Sequence, residues 1–156
     1  MFITLLTHSE ELKKSTNTGQ IVLEQARVFG IKCERVIWQR KAPDAALLQR
    51  LAQPSALLYP SDNAEPWSDA APAHIVLIDS TWQQARKIYN HSPYLHSQPH
   101  LKLHAAQSRF TLRRNQILGG LCTCEAVATI AQSAGLSGFA QSLDSALAKF
   151  ILTRQL

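Results

Sequence analysis

The sequence has little of what marks a secreted, membrane-spanning or metal-built chain. It contains three cysteines, Cys33, Cys122 and Cys124. An odd number without framework spacing excludes a disulfide scaffold, and one Cys-x-Cys pair is too few for a zinc site. They read as reduced thiols, with Cys122 and Cys124 as small packing residues at a helix start, and no metal is expected. Long hydrophobic runs are missing: the stretches 57–59 and 75–78 are far too short to cross a bilayer. Residues 1–7 are apolar but lack a basic stretch before them and a small-residue cleavage site after them. They read as a first strand rather than a signal peptide, in a cytoplasmic protein. Charged residues make up only 17%, and no charge-rich, aromatic-poor stretch or internal repeat is visible, which excludes extended disorder.

What is present fits one domain spanning 1–156, with 46% apolar residues to fill a single core. Sixteen Lys and Arg against eleven Asp and Glu leave a net charge of +5. A basic surface of that kind suits a polyanion such as RNA, although solubility alone also accounts for it.

Strand-like and helix-like segments alternate. Strands are expected at Phe2–Thr7, 33–38, 56–59, 75–78 and 100–103. Helices are expected at 19–28, 44–51, 82–89, Thr123–Ser133 and 138–153, with Pro43 and Pro54 bracketing the second. Residues 61–73 read as a surface loop. The four aliphatic residues 75–78 have the signature of a central parallel strand buried on both faces. The pattern implies an α/β fold: a mostly parallel sheet with helices on both faces and ligands at the carboxyl ends of the strands.

Three clusters carry possible chemistry. Asp79 ends the best strand and immediately precedes a helix, where Ser80-x-x-Gln83 and Thr81-x-x-Gln84 both fit a capping box. The first turn of such a helix can hold a carboxylate or phosphate, and a carboxylate there can take a proton from a substrate. Read alone, Asp79 and Thr81 are equally well helix caps, Trp82 a core residue, and Arg86 and Lys87 solvated. Thr16-Asn17-Thr18-Gly19 is either a turn before a helix or a loop that cradles a ligand. Arg109, Arg113 and Arg114 with Phe110 suit phosphate contacts and base stacking. Thr123 is the expected cap of the next helix, with Glu125 in its first turn. His96, His100 and His104 are spaced by four, but Pro99 breaks any helix that would gather them around a metal.

Together these segments resemble the DTW-domain family of tRNA-uridine aminocarboxypropyltransferases, named for its Asp-x-Thr-Trp motif. That motif is here Asp79-Ser-Thr-Trp82, continuing through Ala85-Arg-Lys87. Around it stand His8 with Glu11, Thr16-Asn-Thr-Gly19, Leu57-Leu-Tyr-Pro60 with Ala64, Ser92-Pro-Tyr-Leu95, Arg113-Arg114 and Thr123-Cys-Glu-Ala126. The resemblance covers roughly residues 5–131. It departs from the family in Ser80, where Gly is common, and in lacking a cysteine cluster ahead of the first strand.

The resemblance implies a fold related to the SPOUT RNA methyltransferases, knotted at the S-adenosylmethionine site. It implies transfer of the 3-amino-3-carboxypropyl group of S-adenosylmethionine to N3 of a uridine in tRNA, with Asp79 as general base. The cofactor is expected against Leu58, Tyr59, Pro60, Ile78, Ser80, Thr81, Trp82, Leu118, Thr123 and Glu125. The RNA is expected against His8, Asn17, Thr18, Arg86, Lys87, Arg109, Arg113 and Arg114. The rival readings are a SPOUT-like methyltransferase and a non-catalytic RNA-binding protein.

Overall fold

The computed structural model describes residues 1–103 and 121–154. Among these, six strands form one sheet: β1 (Phe2–Thr7), β2 (Lys32–Ile37), β3 (Ser55–Leu58), β4 (Glu65–Pro66), β5 (His74–Asp79) and β6 (His100–Lys102). The order across the sheet is β2-β1-β5-β3-β6-β4, and every pairing is parallel. The helices are α1 (Gly19–Phe29), α2 (Ala45–Leu51), α3 (Trp82–Asn90), α4 (Pro93–His96), α5 (Thr123–Ser133) and α6 (Ser137–Arg154).

β5 lies between β1 and β3, and all six of its residues are buried. That is the double burial expected of a parallel strand with helices on both faces. The core is continuous from Ile3, Leu5 and Ile75–Ile78 of the strands to Val22, Ala85, Val127, Leu143 and Leu147 of the helices. Cys124 is part of it, and Cys122 stands at the N-cap of α5. The Cys124 thiol donates to the Leu143 carbonyl, and burial pushes the Cys122 thiol up to about 12, which leaves it unreactive. No grouping of metal-binding side chains occurs among the described residues. No described helix is long and apolar enough to cross a membrane.

The chain leaves β1 through α1 toward β2, and leaves β5 through α3 and α4 in the opposite direction toward β6. Right-handed crossovers that travel in opposite directions lie on opposite faces of a sheet. Accordingly α1, α5 and α6 pack on one another, while α3 packs on α4. The carboxyl ends of β1 and β5 are therefore a topological switch point, where a crevice opens in sheets of this kind. Thr7 and Asp79 are paired there in register.

Three expectations need correction. Residues 61–73 are not all loop, because Glu65–Pro66 pairs with β6 as a two-residue edge strand. Thr123 is not the cap of α5: it is the first helical residue, Cys122 occupies the N-cap, and the backbone N–H of Cys122 donates to Glu125 Oε1. Of the two capping boxes, only Thr81 with Gln84 forms, while Ser80 Oγ donates to the Thr81 carbonyl. A 3-10 turn at Ser9–Lys13 and the short α4 were not foreseen.

Candidate active site

The carboxyl edge at the switch point is organised around one buried carboxylate. Asp79 is 1% exposed. The Thr123 hydroxyl, at the start of α5, donates to its Oδ1 at 2.9 Å. The Asn17 amide donates to its Oδ2 at 3.0 Å, and the Thr7 hydroxyl reaches the same oxygen at 3.4 Å. Arg35, from β2, places Nη2 3.7 Å from Oδ2. Loss of water raises the carboxyl pKa above its ordinary value. The hydrogen bonds from Asn17 and Thr123 pull it down, Glu11 pushes it up, and Arg35 pulls it down again.

Asn17 is the joint of the arrangement. Its amide nitrogen also donates to Glu11 Oε1 at 3.0 Å, so one NH2 group bridges two buried carboxylates. Its oxygen accepts from the backbone N–H of Gln20 and from Arg35 Nη2 at 2.8 Å. The Glu11 carboxylate is further paired with Lys14 at 2.9 Å. Thr18 accepts from the backbone N–H of Cys124, which ties the start of α1 to the first turn of α5. The turn expected at 16–19 thus forms, and the polar atoms of Asn17 and Thr18 face protein partners rather than solvent.

Gly19 explains how so much fits. A Cβ added there would lie 2.4 Å from Asp79 Oδ2 and 3.2 Å from Asn17 Oδ1. Only a residue without a side chain lets α1 begin this close to the carboxylate.

Toward β3 the edge is aromatic. Tyr59 stacks on Trp82 at 6.2 Å and on Tyr89 at 4.3 Å between ring centroids. Tyr89 in turn shares a hydrogen bond of 2.9 Å with His100. Arg86 lies 5.8 Å above the half-buried Trp82, and Arg86 and Lys87 are exposed. Toward β2 the rings of His8 and Trp38 stack at 6.3 Å.

The structure thus brings Asp79, Asn17, Thr18 and Thr123 into one buried group, with Glu125 capping α5 beside it. Ser80, Thr81 and Trp82 form the half-exposed rim, Tyr59 is the base of the aromatic stack, and Leu58 and Ile78 are buried in their strands. Pro60 is exposed. Arg109, Arg113, Arg114 and Leu118 lie outside the described residues. Glu11 and Gly19 belong to motifs singled out in the sequence but were given no role in this group, and Thr7 and Arg35 were not singled out. Thr7 gave one signal, a polar residue at the carboxyl end of a mostly apolar strand, whereas Arg35 lies in a strand of mixed polarity that gave none. A cavity of about 340 Å³ lined by Met1, Trp67, Pro72 and Ser133 lies at the opposite, amino edge of the sheet, away from this group.

A model of the DTW domain matches residues 1–155 of the chain. The protein named tRNA-uridine aminocarboxypropyltransferase 2 of Drosophila melanogaster is 36% identical over 136 residues, which cover 81% of this chain and 53% of that relative. The chain therefore spans about half the length of this curated relative. No solved structure matches the chain significantly. The family match takes in the whole carboxyl edge, from Thr7 and Asn17 through the Asp79-Ser-Thr-Trp82 motif to Thr123, and the chain belongs to the DTW-domain family.

Proposed function

We propose that this protein transfers the 3-amino-3-carboxypropyl group of S-adenosylmethionine to N3 of a uridine in tRNA. The observation that carries the reading is the position of Asp79. It is a buried carboxylate at the switch point of a parallel sheet, joined to the half-exposed rim of a family whose named relative is a tRNA-uridine aminocarboxypropyltransferase.

The residues present suit the donor. The half-exposed Trp82, backed by the buried Tyr59, offers a flat apolar surface for a purine. The amino-terminal end of α3 beside them suits a carboxylate. Leu58, Pro60, Ile78, Ser80, Thr81, Leu118, Thr123 and Glu125 complete the proposed cofactor surface, which is of the knotted SPOUT type. When bound, S-adenosylmethionine supplies an electrophilic methylene and a neutral thioether leaving group.

What the protein must do is hold uridine in line and remove the proton from N3. Asp79 is enclosed, so its base function runs through Thr123. The Thr123 hydroxyl takes the N3 proton while passing its own to Asp79 Oδ1, along the existing 2.9 Å hydrogen bond. The lone pair freed on N3 forms the new N–C bond as the C–S bond breaks. The raised pKa of Asp79 brings its basicity closer to that of its task. His8, Arg86, Lys87, Arg109, Arg113 and Arg114 hold the RNA, while Asn17 and Thr18 fix the rim from beneath.

Incubating the purified chain with unmodified tRNA and S-adenosylmethionine, then analysing the small-molecule by-product, tests the reading. Methylthioadenosine is the expected product. Adenosylhomocysteine would establish methyl transfer instead, and no turnover with tRNA still bound would establish a binding protein.

A further inference from the structure

The edge of the sheet beyond the proposed reaction centre carries a second aromatic and cationic unit, on the β2 side. Trp38 follows β2, and its backbone N–H donates to the Thr7 carbonyl at 2.9 Å, which continues the β1–β2 ladder to the level of Asp79. Both rings of the His8–Trp38 stack are fixed by hydrogen bonds to protein. His8 Nδ1 accepts from the backbone N–H of Glu10 at 3.2 Å. Trp38 Nε1 donates to the buried Ser92 hydroxyl at 2.8 Å. Both rings stay half-exposed at the carboxyl edge. A pinned aromatic surface of this kind loses little entropy when a base stacks on it.

Immediately after Trp38 the chain turns at residues 39–42, where the Ala42 N–H meets the Gln39 carbonyl. The turn carries Arg40 and Lys41, both exposed, and neither makes an ion pair with any described residue. The acids nearest in sequence are already engaged. Asp44 caps α2 by accepting from the Leu47 N–H, Glu34 is paired with Arg50, and Glu10, beside His8, accepts from the Gln84 amide. Nothing among the described residues neutralises the two adjacent cations beside the fixed rings.

We infer that His8, Trp38, Arg40 and Lys41 form a second RNA-binding unit. Trp38 and His8 stack against a nucleobase flanking the target, and Arg40 and Lys41 hold its phosphates. The unit lies across the switch point from the exposed Arg86 and Lys87, which follow the ring pair given above to the donor. β2 and β3 are three strand spacings apart, about 14 Å. A single strand of a few nucleotides laid across the edge would reach from this unit to Arg86 and Lys87, with its middle base over Thr7 and Asp79. This inference rests on the RNA reading of the site given above.

Binding of fluorescently labelled bulk tRNA by the full chain, measured across a salt series, tests it. Arg40→Ala with Lys41→Ala changes two exposed side chains that make no hydrogen bond or ion pair among the described residues. Two lost phosphate contacts to a single strand should lower the slope of log affinity against log salt by about 1.4. Trp38→Ala should weaken binding about tenfold, with a smaller change in slope, and Trp38→Phe should recover most of that loss. Binding of S-adenosylmethionine alone should stay at the native level in the double variant. Native affinity and slope in both the double variant and Trp38→Ala would overturn the inference while leaving the RNA reading intact. A native chain that binds no tRNA would overturn both.

Discussion

The two ends of β5 each bury an ionisable side chain, and they do so in opposite ways. At the amino end, His74 lies between two neutral hydroxyls from the adjacent strands, Thr4 at 2.8 Å and Ser55 at 2.7 Å. Its needs are met within the sheet. At the carboxyl end, Asp79 draws its partners from four other segments: Thr7 of β1, Asn17 before α1, Arg35 of β2 and Thr123 of α5. Loss of water disfavours the charged form at both ends, lowering the pKa of His74 and raising that of Asp79. A histidine can accept that by remaining neutral. The carboxylate instead stands beside a second buried carboxylate, with the Asn17 amide between them and a partly buried arginine on the Asp79 side. Such an arrangement has a stability cost, and sites that need a poised proton acceptor are where it is found.

The largest effect should come from removing the charge of Asp79 while keeping its shape. Thr81, not Asp79, caps α3, so Asp79→Asn leaves the helix start intact. The substituted amide can turn its oxygen toward Asn17 and its nitrogen toward Thr123, whose hydroxyl can rotate to accept, so the neighbours stay satisfied. The fold should therefore survive. Single-turnover transfer to tRNA should fall on the order of a hundredfold or more, the usual contribution of a general base. A single-turnover rate close to native would show that Asp79 only organises the edge, as His74 does at the other end.

Gly19 gives an intermediate effect. Its substitution by Ala puts a methyl group 2.4 Å from Asp79 Oδ2, and the carboxylate is held by too many partners to step aside freely. Overpacking of this kind costs about 1–3 kcal/mol, reduced by up to about 1 kcal/mol of improved helix propensity. Gly138→Ala is the control: its added Cβ comes no closer than 3.3 Å to an atom of the Phe29 ring, and it lies in α6. Urea titrations should separate the two, with Gly19→Ala destabilised and also slower in transfer, since α1 must retreat from the carboxylate. Equal midpoints for both variants would mean that the edge yields to strain and is not tightly packed around Asp79.

How much of this was legible in the sequence follows the same division. β5 and the start of α3 could be read closely because an unbroken aliphatic run meets a capping box within a few residues. β2 and β3 were placed one residue late, at 33–38 and 56–59 rather than Lys32–Ile37 and Ser55–Leu58. Where a strand stops depends on its neighbour, and the neighbour is not in the local pattern. β4 and α4 are too short to show any period. Asp79 stood out as a lone carboxylate at a strand end, but its partners did not. The Asn17–Asp79 and Thr123–Asp79 bonds span 62 and 44 residues, and no local signal marks such meetings. Thr123 shows the cost: it resembles a helix cap, yet its hydroxyl is directed to the carboxylate.

The smallest effect belongs to His74 and is visible only as a pH dependence. Burial lowers its pKa below the usual 6.5, and Arg50 beside it lowers it further. The native state therefore favours the neutral ring, and between the two pKa values the unfolded chain binds more protons than the folded one. The stability this provides is fully present above pH 6.5, declines as pH falls below it, and is gone once pH passes the folded pKa. His74→Asn keeps a donor and an acceptor for Thr4 and Ser55 but cannot titrate. Its midpoint in urea should lie somewhat below native at about pH 7.5, because amide geometry matches the imidazole imperfectly. The gap should narrow as the pH is lowered toward about 5, since only the native chain loses the histidine contribution. The remaining histidines and the carboxylates are common to both chains and drop out of the difference. A gap that stays constant over that range would mean that His74 is not held neutral, and the contrast between the two ends of β5 would then rest on Asp79 alone.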